Sequence, residues 1–267
     1  MPSSPTLTGE HPQLSVIIPC KNEAENLPIL IAEIARALSG RALEILVVDD
    51  GSSDGTGQAA HAAGLANSVP VRVIRHAASA GQSAAVRSGV LHARGAIIIT
   101  TDGDGQNDPA FMPALVDKLE GLGSGCGMVG GQRVGRKDST IKRYASRFAN
   151  GLRGAMLADK TRDSGCGLKA VRAELFRRLP YFDGWHRFMA ALVLREGFDV
   201  AFVDVTDRPR QFGVSKYGVL DRALVGVLDL LGVWWLKSRF RRRPQASEVS
   251  FEPAFPPSST EKGAPAP

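Results

Sequence analysis

Cysteine is scarce in this chain of 267 residues: Cys20, Cys126 and Cys166 are the whole supply. Their number is odd and none stands in C-x-x-C spacing, which argues against a disulfide framework or a zinc site and fits a reducing cytosol. Aromatic residues make up 6% of the chain, and they do not interleave with arginine in the manner that stacks bases, so nucleic acid is not an expected partner. The glycine-rich pieces Gly51 to Gly57 and Gly121 to Gly127 do not match a G-x-G-x-x-G opening a helix after the first strand, which leaves a nicotinamide or flavin site without support. No internal repeat is present. Val16-Ile17-Ile18 is too short for the apolar part of a signal peptide, so the expectation is a chain without one, on the cytosolic side.

Positive charge is only mildly in excess, formally +6. Much of it is local: Lys237, Arg239, Arg241, Arg242 and Arg243 follow the apolar segment Val219 to Leu236. That distribution points to an anionic surface near the C-terminus. As a helix the segment is roughly 27 Å long at ~1.5 Å per residue, marginal for crossing a bilayer. Asp229 near its centre costs about 2.5–3.5 kcal/mol against about 0.3–0.6 kcal/mol returned by each Leu or Val. Lying in the membrane interface is therefore expected, with Trp234 and Trp235 at headgroup level and Arg239 to Arg243 on anionic lipids. Packing on the domain or on a partner subunit is the competing expectation, if Asp221 and Asp229 find partners there; an oligomer is compatible with the sequence.

What the chain does have is alternation of strand and helix. Leu14 to Pro19, Leu43 to Val48, Val71 to Arg75 and Ala96 to Thr101 read as strands; Ala24 to Leu38, Thr56 to Ala66 and Gln82 to His92 read as helices, and a fourth helix opens at Asp108-Pro109. The pattern predicts an α/β fold with a doubly wound, mainly parallel sheet. After Gly131 it changes to a basic stretch, Arg133 to Arg153, then two short helices and a strand near Val200 to Val205. Residues 1–13 read as a flexible arm, 14–216 as the main domain, 217–243 as the amphipathic and basic membrane-interface segment, and 244–267, rich in Pro, Ser and Glu, as a disordered tail.

Three strand ends carry unusual polar residues: Pro19-Cys20-Lys21-Asn22-Glu23, Asp49-Asp50-Gly51-Ser52-Ser53-Asp54-Gly55, and Asp102-Gly103-Asp104-Gly105-Gln106. In a parallel sheet such ends line one crevice. Carboxylates gathered there repel one another unless a cation or a hydrogen-bonding ligand joins them. Asp102, Asp104 and the amide oxygen of Gln106 make a hard oxygen site suited to Mg2+ or Mn2+ bridging to phosphates.

These three segments, with Ser15-Val16-Ile17-Ile18-Pro19 before the first, resemble a family 2 glycosyltransferase of GT-A (Rossmann-like) fold. Arg75-His76 with Gly81-Gln82-Ser83-Ala84-Ala85 is similar to the segment that follows the third strand in that family. Arg147 with Ala149-Asn150, Asp163-Ser164-Gly165, and Arg210 with Gly213-Val214-Ser215-Lys216-Tyr217-Gly218 resemble the dolichol-phosphate mannose synthase branch. Within it, Gly81 to Gly89, Asp104 to Pro109 and Gly131 to Asp138 are most similar to bacterial dodecaprenyl-phosphate galacturonate synthases. The resemblance covers about residues 14 to 220.

The resemblance implies inverting transfer of a sugar from a nucleotide-sugar, UDP-galacturonate favoured, to a polyprenyl (dodecaprenyl or undecaprenyl) phosphate. The reaction would take place at the inner-membrane surface and make a lipid-linked sugar for envelope glycan or lipopolysaccharide modification. It implies that Pro19, Lys21, Glu23, Asp50, Gln82 and Asp102 bind the nucleotide-sugar and that Asp102, Asp104 and Gln106 hold Mg2+ or Mn2+. Asp104, Arg210 and Lys216 would be catalytic. A phosphate monoester has a second pKa near ~6 and needs cations more than a base; Arg133, Arg147, Arg210 and Lys216 are the candidates to receive it. His76 and His186 read as hydrogen-bonded structural residues. A uronate donor calls for one more cation near the sugar's C6, for which Arg136, Lys137 and Arg187 are candidates. Other readings stay open: a polyprenyl- or dolichyl-phosphate mannose or glucose synthase, a hydroxyl-directed or polymerising family 2 transferase, and a non-enzymatic nucleotide-sugar-binding scaffold.

Overall fold

A computed structural model describes residues 12–134, 151, 153–159, 161–210, 220–241 and 247. Arg136, Lys137, Arg147 and Lys216 lie outside the described residues, as do nearly all of the N-terminal arm and the tail. Seven strands form one sheet: β1 (Leu14–Cys20), β2 (Leu43–Asp49), β3 (Val71–Arg75), β4 (Ile97–Thr100), β5 (Cys126–Arg133), β6 (Lys169–Arg172) and β7 (Asp199–Val205), in the order β3-β2-β1-β4-β6-β5-β7. The helices are α1 (Leu27–Ala37), α2 (Thr56–Ala66), α3 (Gln82–His92), α4 (Met112–Gly121), α5 (Ala173–Arg178), α6 (Met189–Arg195) and α7 (Leu220–Ser238).

The sheet is mixed rather than doubly wound throughout. β1, β2, β3 and β4 pair in parallel, and so do β5 and β7, but β6 runs antiparallel to both β4 and β5. Two of these strands escaped the sequence reading. β6 is four residues long, too short to show a period. β5 carries three glycines because neighbours fill the space a side chain would take: Leu175 and Phe198 at Gly127, Cys166 and Val205 at Gly131.

The central strands are buried on both faces, which is why they read as continuous apolar runs. Val16 and Ile18 of β1 face α1 and α4, where Leu30, Ile34, Leu115 and Leu119 are buried. Ile17 between them faces the other layer, with Val86 and Val90 of α3 and Phe176 of α5. α1 buries Leu27, Leu30, Ile31 and Ile34, one stripe at i, i+3, i+4 and i+7. Each such side chain contributes about 1.5–3 kcal/mol by leaving water.

The strand order reverses at β1, between β2 and β4, so the carboxyl ends of these strands open a crevice at a topological switch point. The reversed β6 has a second consequence. Its amino end lies at that same edge, with Lys169 opposite Thr100.

α7 docks on the domain through Leu230 and Val233. Lys237 Nζ donates to the Leu157 carbonyl and Arg195 Nε donates to the Leu236 carbonyl at 3.2 Å. The opposite side of the helix exposes Val227, Leu228, Leu231, Trp234 (48%) and Trp235 (58%). Among the described residues no helix is long and apolar enough to cross a membrane.

Candidate active site

The crevice is built by loops that tie the strand ends to one another. After β1, Asn22 donates its backbone N–H to Ser52 Oγ at 2.9 Å and accepts from the Ser53 N–H at 2.9 Å. The Glu23 N–H donates to Thr56 Oγ1 and the Ala24 N–H to Asp54 Oδ2. Asp54 also accepts from the Thr56 N–H and hydroxyl, and Asp49 accepts from the Ser52 N–H at 2.8 Å. The run Asp49 to Thr56 is therefore a woven turn in which each polar side chain satisfies a neighbour's backbone. Gly51 is required at its apex: φ is +70°, and a Cβ there would stand 2.9 Å from the Ser79 nitrogen.

Asp50 is 5% exposed and accepts four hydrogen bonds, from His76 Nδ1 (2.7 Å), Ser79 Oγ (2.7 Å), Ala80 N–H (2.8 Å) and Gly81 N–H (2.9 Å). Burial works against its charge, but these bonds outweigh it and hold the carboxyl below its ordinary range. Asp50, expected at the nucleotide, thus organises the 76–81 loop that delivers α3. His76 spends its other ring nitrogen on Ser88 Oγ at 2.9 Å, which makes it a clamp. Glu23 accepts from Asn26 Nδ2 at 2.6 Å, Lys21 is exposed directly after β1, and Pro19 pairs with Val48 in the sheet.

Asp102 and Asp104 follow β4. Gln82, the first residue of α3, donates its side-chain amide to Asp102 Oδ1 at 2.8 Å. The Asp102 carboxyl is pushed up to about 6, by burial first and then by the charge of Asp104, with Lys169 and Arg133 pulling the other way. Asp104 Oδ1 accepts from the Gln106 N–H at 3.1 Å, and Oδ2 accepts from Arg210 Nη2 at 2.6 Å. Arg210 reaches it because residues 207–210 fold back over the acidic loop. Asn107 and Asp207 form a bridge, and the Arg208 N–H donates to the Gln106 carbonyl at 2.9 Å.

Among the described residues no group of three His, Cys, Asp or Glu is placed to hold a metal. The two carboxylates with the Gln106 amide nonetheless fit a hard divalent cation. The Cys20 thiol, buried at this corner, is pushed well up by burial and then by the charges of Glu23, Asp49, Asp102 and Asp104. Burial is the larger cause, and the four carboxylates add to it. Arg210 supplies one positive charge to this corner.

The expected phosphate-binding cations divide. Arg133 is held by Asp163 through Nε at 2.5 Å and Nη2 at 2.9 Å, and by Asp207 through Nη1 at 3.2 Å, so its fork is fully engaged. Arg210 is on Asp104, and Arg147 and Lys216 are outside the described residues.

Two other cations line the crevice. A cavity of about 340 Å³ runs from Pro19, Gln82 and Asp102 to Lys169, Arg187 and Met189. Lys169 is buried, its Nζ donates to the Cys166 carbonyl, and burial lowers its ammonium below the ordinary range, with Cys166 and Asp102 opposing. A lone lysine in the apolar run Cys166 to Val171 was the signal available in the sequence. His186 lines the cavity too, with Nδ1 at 2.8 Å from Ser83 Oγ, which also accepts from the Gly184 N–H.

Comparison with known proteins places this geometry. The family described as Glycosyl transferase family 2 matches residues 15–180. The dodecaprenyl-phosphate galacturonate synthase of Rhizobium johnstonii is 34% identical over 87% of this chain and 69% of its own length. The undecaprenyl-phosphate 4-deoxy-4-formamido-L-arabinose transferase of Klebsiella pneumoniae is 33% identical over 78% of this chain; the matched part is 63% of that protein. Among solved structures, glucosyl-3-phosphoglycerate synthase of Mycobacterium tuberculosis, in complex with Mn2+ and UDP, superimposes with a TM-score of 0.65 at 21% identity, over 85% of this chain and 80% of that one, a likeness of fold.

Proposed function

Because the chain belongs to glycosyltransferase family 2, we propose that it transfers a sugar from a nucleotide-sugar to a polyprenyl phosphate at a membrane surface, with UDP-galacturonate the favoured donor. The observation that carries this reading is a cavity lined by the half-buried Asp102 together with Lys169 and Arg187, with Asp104 two residues further along the same loop. The negative charge suits a metal on a diphosphate, and the positive charge suits an anionic reaction partner.

Pro19, Lys21, Glu23 and Gln82 surround the nucleotide-sugar, and Asp102, Asp104 and Gln106 would hold the divalent cation. When bound, that ion supplies Lewis-acid neutralisation of the departing diphosphate. The acceptor phosphate is largely dianionic at neutral pH, since its second pKa is near ~6. Its oxygen attacks the anomeric carbon as the bond from that carbon to the nucleoside diphosphate breaks, with inversion. No general base is needed, in keeping with the structural hydrogen bonds of His76 and His186. Arg210, tied to Asp104 in this structure, is released to the acceptor phosphate once Asp104 is engaged by the donor complex. By the resemblance of their sequence motifs, Lys216 and Arg147 are the further candidates for that phosphate.

A hydroxyl-directed transferase needs a carboxylate base near the acceptor. Asp163 is a carboxylate that the stretch after Gly131 offers, and it is locked in a bidentate pair with Arg133, which disfavours that reading. The exposed apolar side of α7, with Trp234 and Trp235, lies in the membrane interface and brings the crevice to its lipid acceptor. The test is a panel of UDP- and GDP-sugars with a short polyprenyl phosphate and Mn2+. Label should enter an organic-extractable, mild-acid-labile lipid; no lipid-linked product from any donor would defeat the proposal.

A further inference from the structure

We propose that Lys169 and Arg187 recognise a carboxylate on the donor's sugar, with Arg153 holding Arg187 in position from behind. The inference rests on the transfer reading above, including its favoured uronate donor, and deepens it by naming the residues that select that sugar. With the diphosphate at Asp102 and the nucleoside toward Pro19, the sugar is left with the rest of the cavity, whose lining includes Lys169 and Arg187.

The protein balances the charges there only in part: Arg153 is paired with the buried Asp159. The Cys166 carbonyl accepts from Lys169, an ammonium with three donors, and Asp102, Asp163 and Arg133 act on it through space. Asp163 is already committed to Arg133. Arg187 has no carboxylate at ion-pair distance among the described residues; Asp229 of α7 feels its charge from further away, together with that of Asp183.

Arg153 adds an independent observation. It is 7% exposed, and its Nε and Nη1 are buried with no hydrogen-bond partner. Its Nη2 donates to Asp159 Oδ2 at 2.7 Å and to the Arg187 carbonyl at 3.0 Å, and its guanidinium lies 5.3 Å from the centre of the Phe188 ring. A small second cavity touches Arg153, Lys169 and Arg187 together and shares the last two with the first. Three cations therefore line this second cavity, and two donors of Arg153 are unsatisfied although its charge is paired with Asp159. Buried charge is costly unless paired. A neutral hexose offers hydroxyls only; a hexuronate offers Arg187 a carboxylate, and a planar carboxylate suits the guanidinium fork.

The test is titration calorimetry of the full chain with UDP-galacturonate and with UDP-galactose, both with Mn2+, in wild type, Arg187→Met and Arg187→Lys. Wild type should prefer the uronate by about 10-fold or more, the range of a hydrogen bond to a charged group. Arg187→Met should lose that preference while binding UDP-galactose as before, and Arg187→Lys should restore part of it. Equal binding of the two donors by wild type would overturn the proposal. So would a loss in Arg187→Met that falls equally on both sugars, or one that falls on the KM for the polyprenyl phosphate with the donor ratio unchanged. A uronate preference persisting without lipid product from any donor would keep the carboxylate site and remove the lipid acceptor.

Discussion

Gly167→Ala should disable the enzyme without unfolding it. Gly167 precedes β6 and backs directly onto the acidic corner: its carbonyl accepts from Thr100 Oγ1 at 2.7 Å. A Cβ built there would stand 2.6 Å from Asn107 Oδ1 and 2.6 Å from Asp102 Cγ, and would also strike Asp102 Oδ2. Ordinary contact needs ~3.5–4.0 Å, so Asp102 or the loop that carries it has to move by about 1 Å. Misplacement of that size costs on the order of 100-fold in rate. The stability cost of such overpacking is about 1–3 kcal/mol, small enough for a folded product. Asp102 also receives Gln82 and Asn107 is held by the Asp102 N–H, so the displacement spreads through the corner. The assay is sugar transfer with Mn2+ alongside thermal unfolding. Gly125→Ala is the control, since nothing lies within 4 Å of a Cβ at that position. If Gly167→Ala transfers sugar within twofold of wild type, the assignment of Asp102 to the reacting corner is wrong.

Asp163→Asn leaves Asp207 as the carboxylate on Arg133; the pair is partly buried, so the change should lower unfolding stability by about 1.5–3 kcal/mol, the range of a hydrogen bond to a charged group, read by denaturant titration. Glu44 is 3% exposed; burial raises its pKa, but Arg72, the Arg94 N–H and Ser15 together hold it below the ordinary value. Its contribution is therefore present above the unfolded carboxylate pKa of about 4.3 and is lost as pH falls through the lower folded value. Glu44→Gln should flatten the acid limb of the stability profile and leave the neutral plateau lower, measured by unfolding between pH 2 and 7 (roughly the window set by that linkage). Replacing Trp234 and Trp235 together by Ser should reduce recovery on anionic vesicles several-fold while leaving the melting temperature near wild type, because both rings are exposed; undiminished pelleting would remove α7 from the membrane.

The parts of this molecule legible in the sequence were those governed by local rules. β2, β3, α2 and α3 follow from period, apolar runs and Gly punctuation, and their bounds fall within a residue of the expectation. The acidic strand ends were legible for the same reason, since a parallel strand fixes which end faces the crevice. What was not legible depends on pairing across long sequence distances. β6 is antiparallel because the chain returns between β4 and β5, and no property of Lys169-Ala170-Val171-Arg172 announces that. Yet this reversal is what places Lys169 beside Thr100 and hence inside the cavity.

The same long-range logic reassigns the cations. Counting arginines after Gly131 cannot tell a phosphate ligand from a structural one, because the difference lies in which carboxylate each meets. Arg133 meets Asp163 and Asp207 and is spent as a brace. Arg210 meets Asp104 and is held where a single competing charge would free it. Arg153 meets Asp159 and is paired, whereas Arg187 has no carboxylate at ion-pair distance among the described residues and lines the cavity. On the proposed reading the site sets carboxylates for a metal and its diphosphate beside cations that line the same cavity, and a donor with a carboxylate on its sugar carries negative charge to match both.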